Sequence, residues 1–387
     1  MKPYMREVRM DEKQNDRLEQ HSSEKKTTRR DFIKKSAKIG AGAGIGLTMM
    51  NSILMAGKEE GAAPEVMKKK EIIRWRLQSY AGPALNEHVV LKAIQKFNEA
   101  AEGQMVIDVY TADEIVPQGE LFRAVQEGTL DAAVSDDDSM QAPVDVSVFG
   151  AYFPLASRYF LDVPVLWNWY GLNEIWEEAY AEVDNVTWLS TGSWDPCCFA
   201  GSKPIRSIDD FKGQRMYMFP TVGRFMTRFG VIPQVLPYED VEMAIQTGVL
   251  DGVAWSGITE DYTVGWADVC DYYLTNPVSG AWAGSWIVNT EAWNKLSKQA
   301  QMLYRITIDQ SHYYRLHWYW WGEAHYRTKG GKMKLTTIPA NEWRLVEDEA
   351  MKFWDEIAQV SDRCNRVVKI LKDYQQIMRD TGPPYRY

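Results

Sequence analysis

The chain has 387 residues, with 44 Lys and Arg against 53 Asp and Glu, a formal net charge of −9 and 25% charged residues. That length is ample for two globular domains, and an acidic balance argues against nucleic acid or an anionic membrane surface as the partner. Four cysteines, adjacent at Cys197 and Cys198 and single at Cys270 and Cys364, match no zinc, iron–sulfur or haem spacing; reduced, buried thiols are expected at the adjacent pair.

In chain order, residues 27–34 read Thr-Thr-Arg-Arg-Asp-Phe-Ile-Lys and precede an uncharged run rich in Gly and Ala from Ile39 to Ala56. A twin Arg before a modestly apolar stretch predicts a Tat-type export signal over residues 1–56 and a periplasmic location. The competing reading, a membrane anchor, is weakened by the glycines, which make a poor spanning helix. Glu71 to Ser79 alternates apolar and polar residues as a strand does, and Asn86 offers an N-cap for a helix burying Val89, Val90, Ala93, Ile94 and Phe97. Met105 to Tyr110 is the next strand, Pro117 to Gly128 a helix ended by Gly, and Leu130 to Val134 a third strand. The unit recurs as a strand at Arg215 to Met218, a helix from Gly223, a strand at Val231 to Leu236, a helix at Glu239 to Gly248 and a strand at Val249 to Trp255. Leu-Asp-Ala at 130–132 and Leu-Asp-Gly at 250–252, each after a helix-ending Gly, mark an internal repeat. Two α/β lobes with a cleft beyond the strand carboxyl ends follow from this order. Lys298 to His325 is a long helix whose many Tyr and Trp call for burial or a contact with a second chain.

The residues that bear chemistry are few. His312, His317 and His325 lie on one helix at spacings that do not share a face, and no Gly-x-Gly-x-x-Gly or Gly-x-Ser-x-Gly is present. Neither a cofactor nor a metal is therefore expected, although the Tat route also carries folded enzymes and an exported enzyme is one alternative.

Several motifs together resemble the solute receptors of tripartite ATP-independent periplasmic (TRAP) transporters. They are Trp75-Arg76, Glu114-Ile-Val-Pro, the run from Gln126 to Asp131, Lys212-Gly213, and Ala244-Ile-Gln-Thr-Gly-Val-Leu-Asp-Gly followed by Trp255. Trp255 makes the chain most similar to the branch that binds α-keto and α-hydroxy acids. The resemblance implies a two-lobed periplasmic binding protein fold with crossing hinge strands and a long spanning helix. Lobe one would be residues 71–194 and 283–322, lobe two 195–282 and 323–345, and 346–387 a C-terminal helix and tail. It also implies capture without turnover and small and large membrane subunits as partners. In that branch the C-terminal helix can be exchanged between subunits, and Val346 to Met378 is long enough for such a homodimer contact.

At the site the sequence departs from the family. The Arg that usually follows Lys-Gly, and that forks onto a ligand carboxylate, is replaced by Tyr217; Arg215 on the same strand and Arg224 in the next helix are the candidate substitutes. The Glu that precedes the Trp and helps hold a cation is Ala254, and Trp194-Asp195 stands where a Gln is implied. Asp136, Asp137 and Asp138 offer another carboxylate set. The ligand residues expected from this comparison are Trp194, Asp195, Tyr217, Arg224, Trp255, Trp282, Arg215 and Asp137, with Tyr152, Trp286 and Glu260 nearby. They describe an aromatic pocket for a small organic acid or, alternatively, for a zwitterionic or quaternary ammonium ligand.

Overall fold

The computed structural model describes residues 72–193 and 195–381. The expected export signal over residues 1–56, the candidate ligand residue Trp194 and the tail from residue 382 lie outside the described residues. The described strands are β1 (Ile73–Ser79), β2 (Met105–Tyr110), β3 (Ala132–Ser135), β4 (Val186–Ser193), β5 (Cys197–Gly201), β6 (Arg215–Met218), β7 (Ile232–Gln234), β8 (Gly252–Ala254), β9 (Tyr272–Ser279), β10 (Ala283–Asn289) and β11 (Lys334–Thr336).

These strands build two mixed sheets, in the orders β2-β1-β3-β10-β4 and β11-β9-β5-β8-β6-β7. Each sheet has a parallel core of three strands, β2-β1-β3 and β7-β6-β8, as expected for strands linked by helical crossovers. The chain passes from the first sheet to the second between β4 and β5 and returns between β9 and β10. This is the two-lobed α/β architecture with crossing strands. The carboxyl ends of β1, β3, β6 and β8 face the cleft between the sheets, where α/β folds place their ligands.

The internal repeat has a physical cause. In the first sheet the Asp131 carboxylate accepts the Arg76 backbone N–H at 2.8 Å, and the Arg76 guanidinium donates to the carbonyl of the helix-ending Gly128 at 3.0 Å. In the second sheet Asp251 accepts the Arg215 backbone N–H at 3.0 Å and its Nε–H at 2.9 Å, while the same guanidinium donates to Gly248 O at 2.8 Å. Each Leu-Asp thus ties the start of one strand to the end of the preceding helix. Gly128 and Gly248 have φ of 77° and 72°, a region that favours glycine. Burial alone would raise the Asp251 carboxyl, but the Arg215 and Lys203 bonds outweigh it and hold it well below the usual carboxylate range. A depressed carboxylate contributes stability that is present above the unfolded pKa and is lost as pH falls through the folded one. Asp251→Asn should therefore lower the melting temperature by a few degrees at pH 7, and the gap should begin to narrow only below about pH 4, with much of it left at pH 3. Calorimetric melts at the two pH values check this.

The helix expected from Asn86 begins instead at Pro83, whose fixed φ suits a first helical turn, and Asn86 makes no capping bond. Likewise the helix expected from Gly223 runs Pro220–Met226, again opened by a proline. Lys298–His325 forms a helix of 28 residues capped by Ser297. Tyr304 packs edge-on against Trp75 at 5.6 Å, and Tyr319 is likewise fully buried. The aromatic spine is only partial, because Tyr313, Trp320 and Trp321 are exposed.

The C-terminal helices Ala340–Ile357 and Asp362–Thr381 fold back on their own chain. Trp354 Nε1–H donates to Pro154 O at 2.8 Å, Tyr374 OH to Asp162 at 2.7 Å, and Arg363 bonds both Asp145 and Glu182. The apolar face of these helices, with Val346, Phe353, Trp354, Val367 and Leu371, is covered within one chain. All four cysteines are buried and none is in a disulfide.

Candidate functional site

Between the sheets lies a cavity of about 520 Å³. The repeat builds both of its walls. From the first half come Asp113, the turn Pro117–Gly119 and the segment after β3 with Asp138 and Ser139. From the second half come Tyr217 and Phe219 at the end of β6, the turn Pro237–Tyr238 and Trp255 after β8. The two proline turns occupy equivalent places, each leading through a short 3-10 turn into the helix that ends at Gly128 or Gly248.

The aromatic rings form a stack. Trp255 stacks on Tyr217, at 4.8 Å and 16° between planes, and on Phe219, at 4.0 Å and 22°; Tyr238 approaches it at 6.0 Å. Two contacts join the walls. Asp138 Oδ2 accepts the backbone N–H of Thr221 at 2.8 Å, and a Cβ added at Gly82 would come within 2.7 Å of the Tyr238 ring. Gly82 is thus a position where the first wall can touch the second only without a side chain.

Of the residues singled out from sequence, Tyr217 and Trp255 line this cavity. Arg215 does not, since its guanidinium is committed to Asp251 and Gly248 at the far end of the strand. Arg224 is exposed and sits over the Phe353 ring at 5.1 Å, although its charge still reaches Asp138. The three aspartates do not act as a set. Asp136 is buried and accepts Ser139 N–H, Asp137 accepts Trp176 Nε1–H at 2.7 Å and Tyr180 OH at 2.6 Å inside the first lobe, and only Asp138 faces the cavity. Trp282 is buried beside Tyr80, and Trp286 is buried against Tyr304 and the long helix. Sequence reading passed over Phe219, Tyr238, Asp113 and Gln118. Tyr238 and Gln118 both follow the proline of a repeated turn, a signal that aligning the two halves would have raised.

A second layer lies behind the rings. Tyr152 packs edge-on against Phe219 at 5.2 Å and donates its hydroxyl to Asp195 Oδ1 at 2.9 Å. Asp195 Oδ2 accepts the backbone N–H of Gly257 at 2.6 Å, and Glu260 accepts the hydroxyl of Tyr319. Burial, followed by the Glu260 charge, pushes the Asp195 carboxyl well up; burial pushes Glu260 up to about 8 despite the Tyr319 bond. In the front layer, burial raises Asp138 to about 6, against the Thr221 bond and the Arg224 charge. Among the described residues no group of three or more His, Cys, Asp or Glu is arranged to hold a metal ion.

A two-lobed α/β protein with an aromatic cleft at its strand ends is a solute-binding protein by architecture. The comparisons with known proteins make the class definite: residues 83–359 match the model of the bacterial extracellular solute-binding proteins, family 7, and the chain belongs to that family. It is 26% identical over 317 residues to the monocarboxylate 2-oxoacid-binding periplasmic protein of Nostoc sp., covering 79% of this chain and 84% of that one. Among solved structures it is similar to a TRAP periplasmic solute binding protein from Chromohalobacter salexigens with bound (S)-(+)-2-amino-1-propanol. That match has 57% identity and a TM-score of 0.81 and covers 82% of this chain and 100% of that one. A TRAP solute binding protein from Bordetella bronchiseptica, with copurified calcium and picolinate, shares the fold at 19% identity and a TM-score of 0.71, over 80% of this chain and 94% of that one. The protein is a TRAP solute-binding receptor, of a periplasmic class that delivers a small molecule to membrane subunits, and it is not an enzyme.

Proposed function

We propose that this receptor captures a small ligand carrying a protonated amine, of the amino-alcohol class, in place of the small organic acid that the family resemblance first implies. The observation that carries the reading is the charge of the cleft: its lining contains Asp113 and Asp138 and no Lys, Arg or His. A micromolar carboxylate ligand needs about 8 kcal/mol, of which charged hydrogen bonds contribute roughly 1.5–3 each. Here such a ligand meets two like charges and no cation. An ammonium meets the reverse, with aromatic faces that stabilise it by about 0.5–2 kcal/mol apiece. The amino alcohol held by the 57% identical Chromohalobacter receptor supports the same reading.

Export by the Tat route follows from Arg29-Arg30 and the apolar run after them. Lobe limits at 71–194 with 283–322 and at 195–282 with 323–345 are supported by the sheet crossings after β4 and after β9. A thermal-shift panel of amino alcohols, quaternary ammonium compounds, amino acids, 2-oxoacids and hydroxy acids tests the ligand class. A ligand at 100 times its dissociation constant stabilises the folded state by about 2.7 kcal/mol, a shift of several degrees. Amino alcohols should raise the melting temperature and 2-oxoacids should not; the opposite pattern refutes the proposal.

A further inference from the structure

The cleft's own carboxylates are already occupied or remote from its inner end: Asp138 caps Thr221 and Asp113 accepts the Gln118 backbone N–H at 2.9 Å. Behind the ring layer the balance is different. Asp195, Glu260, Asp261 and Glu323 are all buried; Asp195 and Glu323 converge on Gly257, and Glu260 and Asp261 follow it in the chain. Glu323 is satisfied by Arg327 at 2.9 Å and by Thr259. Arg315, fully buried, donates to Val89 O at 3.0 Å and contacts His312, and its charge also reaches Glu260. That leaves four buried acids against two guanidinium groups. Asp261 Oδ2, on a side chain 1% exposed, has no hydrogen-bond partner, and its Oδ1 shares the Ser256 hydroxyl with Glu260. Tyr80, Tyr152 and Tyr319 surround the pair with phenol oxygens, and Cys197 adds a neutral thiol. Tyr152, which holds Asp195, packs against Phe219, and Phe219 lines the open cleft.

We propose that Asp195 and Glu260 form the seat of the ligand's ammonium group, reached by displacement of the Tyr152–Phe219 ring layer, and that a proton leaves the pair as the cation enters. The inference rests on the amine reading above and names the charge that reading requires. A primary ammonium has three N–H donors. Asp195 and Glu260 offer carboxylate oxygens, the Tyr152 hydroxyl offers a lone pair, and the tyrosine and tryptophan faces cover the carbon skeleton. The balance is one ammonium in and one proton out. Burial holds a proton on the empty pair near neutral pH, with Glu260 raised to about 8; the arriving cation replaces that proton's charge, and the local count is unchanged.

Affinity therefore depends on pH in a defined direction. Aliphatic amines keep their charge to about pH 9–10, so the ligand is charged throughout. Below pH 8 the ligand must expel a proton, and affinity should fall about tenfold per pH unit from 8 to 6, as linkage requires for one proton.

The test is a titration of the receptor with (S)-2-amino-1-propanol, followed by tryptophan fluorescence in amine-free phosphate buffer from pH 6 to 8.5, with neutral (S)-1,2-propanediol as the matched control. Wild-type protein should show the tenfold slope and reject the diol. Asp195→Asn and Glu260→Gln should each weaken binding at least 100-fold while the variants remain folded, as a cooperative thermal melt verifies. Residual Glu260→Gln binding should be flat in pH. A flat wild-type profile, or both buried variants within threefold of wild type, overturns the seat while leaving the amine reading intact. Failure of wild-type protein to bind any amine overturns that reading and the seat with it.

Discussion

Tyr217→Arg is expected to abolish amine capture, weakening (S)-2-amino-1-propanol binding by about 100-fold or more. The substitution puts a guanidinium beside Trp255, where the Tyr217 ring now stacks at 4.8 Å. A guanidinium on the entry wall repels the ammonium, by roughly 3 kcal/mol when two like charges pass within about 5 Å at an effective dielectric near 20, and loss of the stacked pair removes about 0.5–1.5 more. The same change supplies the bidentate donor that most TRAP receptors use for a carboxylate. The variant should therefore gain a measurable response to lactate or pyruvate, which calorimetry would read directly. Retention of amine affinity within threefold would mean that the ligand does not approach this wall.

The second large effect is expected at Gly257. A Cβ there would lie 2.3 Å from Glu323 Oε1 and 3.2 Å from Asp195 Oδ2, between two carboxylates that are both held by other bonds. Glu323 cannot swing away without leaving Arg327, and Asp195 cannot without leaving the Gly257 N–H. Overpacking typically costs about 1–3 kcal/mol and a broken buried polar bond about 1–3 more, so Gly257→Ala should destabilise the protein by roughly 2–5 kcal/mol. It should also lose ligand binding, because the Asp195 side chain is displaced. Denaturant unfolding measures the first effect and fluorescence titration the second. An alanine variant of unchanged stability would show that the backbone at this crossing is looser than its contacts indicate.

Much of the fold was legible because short strands and helices punctuated by Gly, Pro and Asp leave local marks. β2 and β6 fall where expected, at Met105–Tyr110 and Arg215–Met218, and the long helix runs Lys298–His325. The strand expected over Val249 to Trp255 is only Gly252–Ala254, because its first residues serve as the Asp251 clasp. Helix starts were misplaced at Pro83 and Pro220, where proline at the first turn outweighs a polar cap further on. The fold-back of the C-terminal helices was not legible, since amphipathic helices bury a face against their own chain or another's with the same pattern.

The site divides in the same way. Tyr217 and Trp255 follow strand ends, and strand ends are readable. Arg215 misled because the same strand position serves the clasp; its counterpart Arg76, bonded to Asp131 and Gly128, carried that message within the sequence. Asp136, Asp137 and Asp138 look alike in sequence but turn to three different environments, and nothing local distinguishes them. Glu260 and Glu323 meet Asp195 only through packing of the long helix against the second sheet, a contact between residues far apart in the chain.

The most direct test of amine capture is calorimetric titration of the receptor without residues 1–56 with two ligands of similar size and opposite charge, (S)-2-amino-1-propanol and (S)-lactate, at one pH. The account predicts one amine bound per chain at micromolar affinity or tighter, and lactate at least about 100-fold weaker, a difference of about 2.7 kcal/mol. Tight lactate binding with no heat from the amine would contradict it, and would mean that a cation outside the present cleft lining closes onto the ligand.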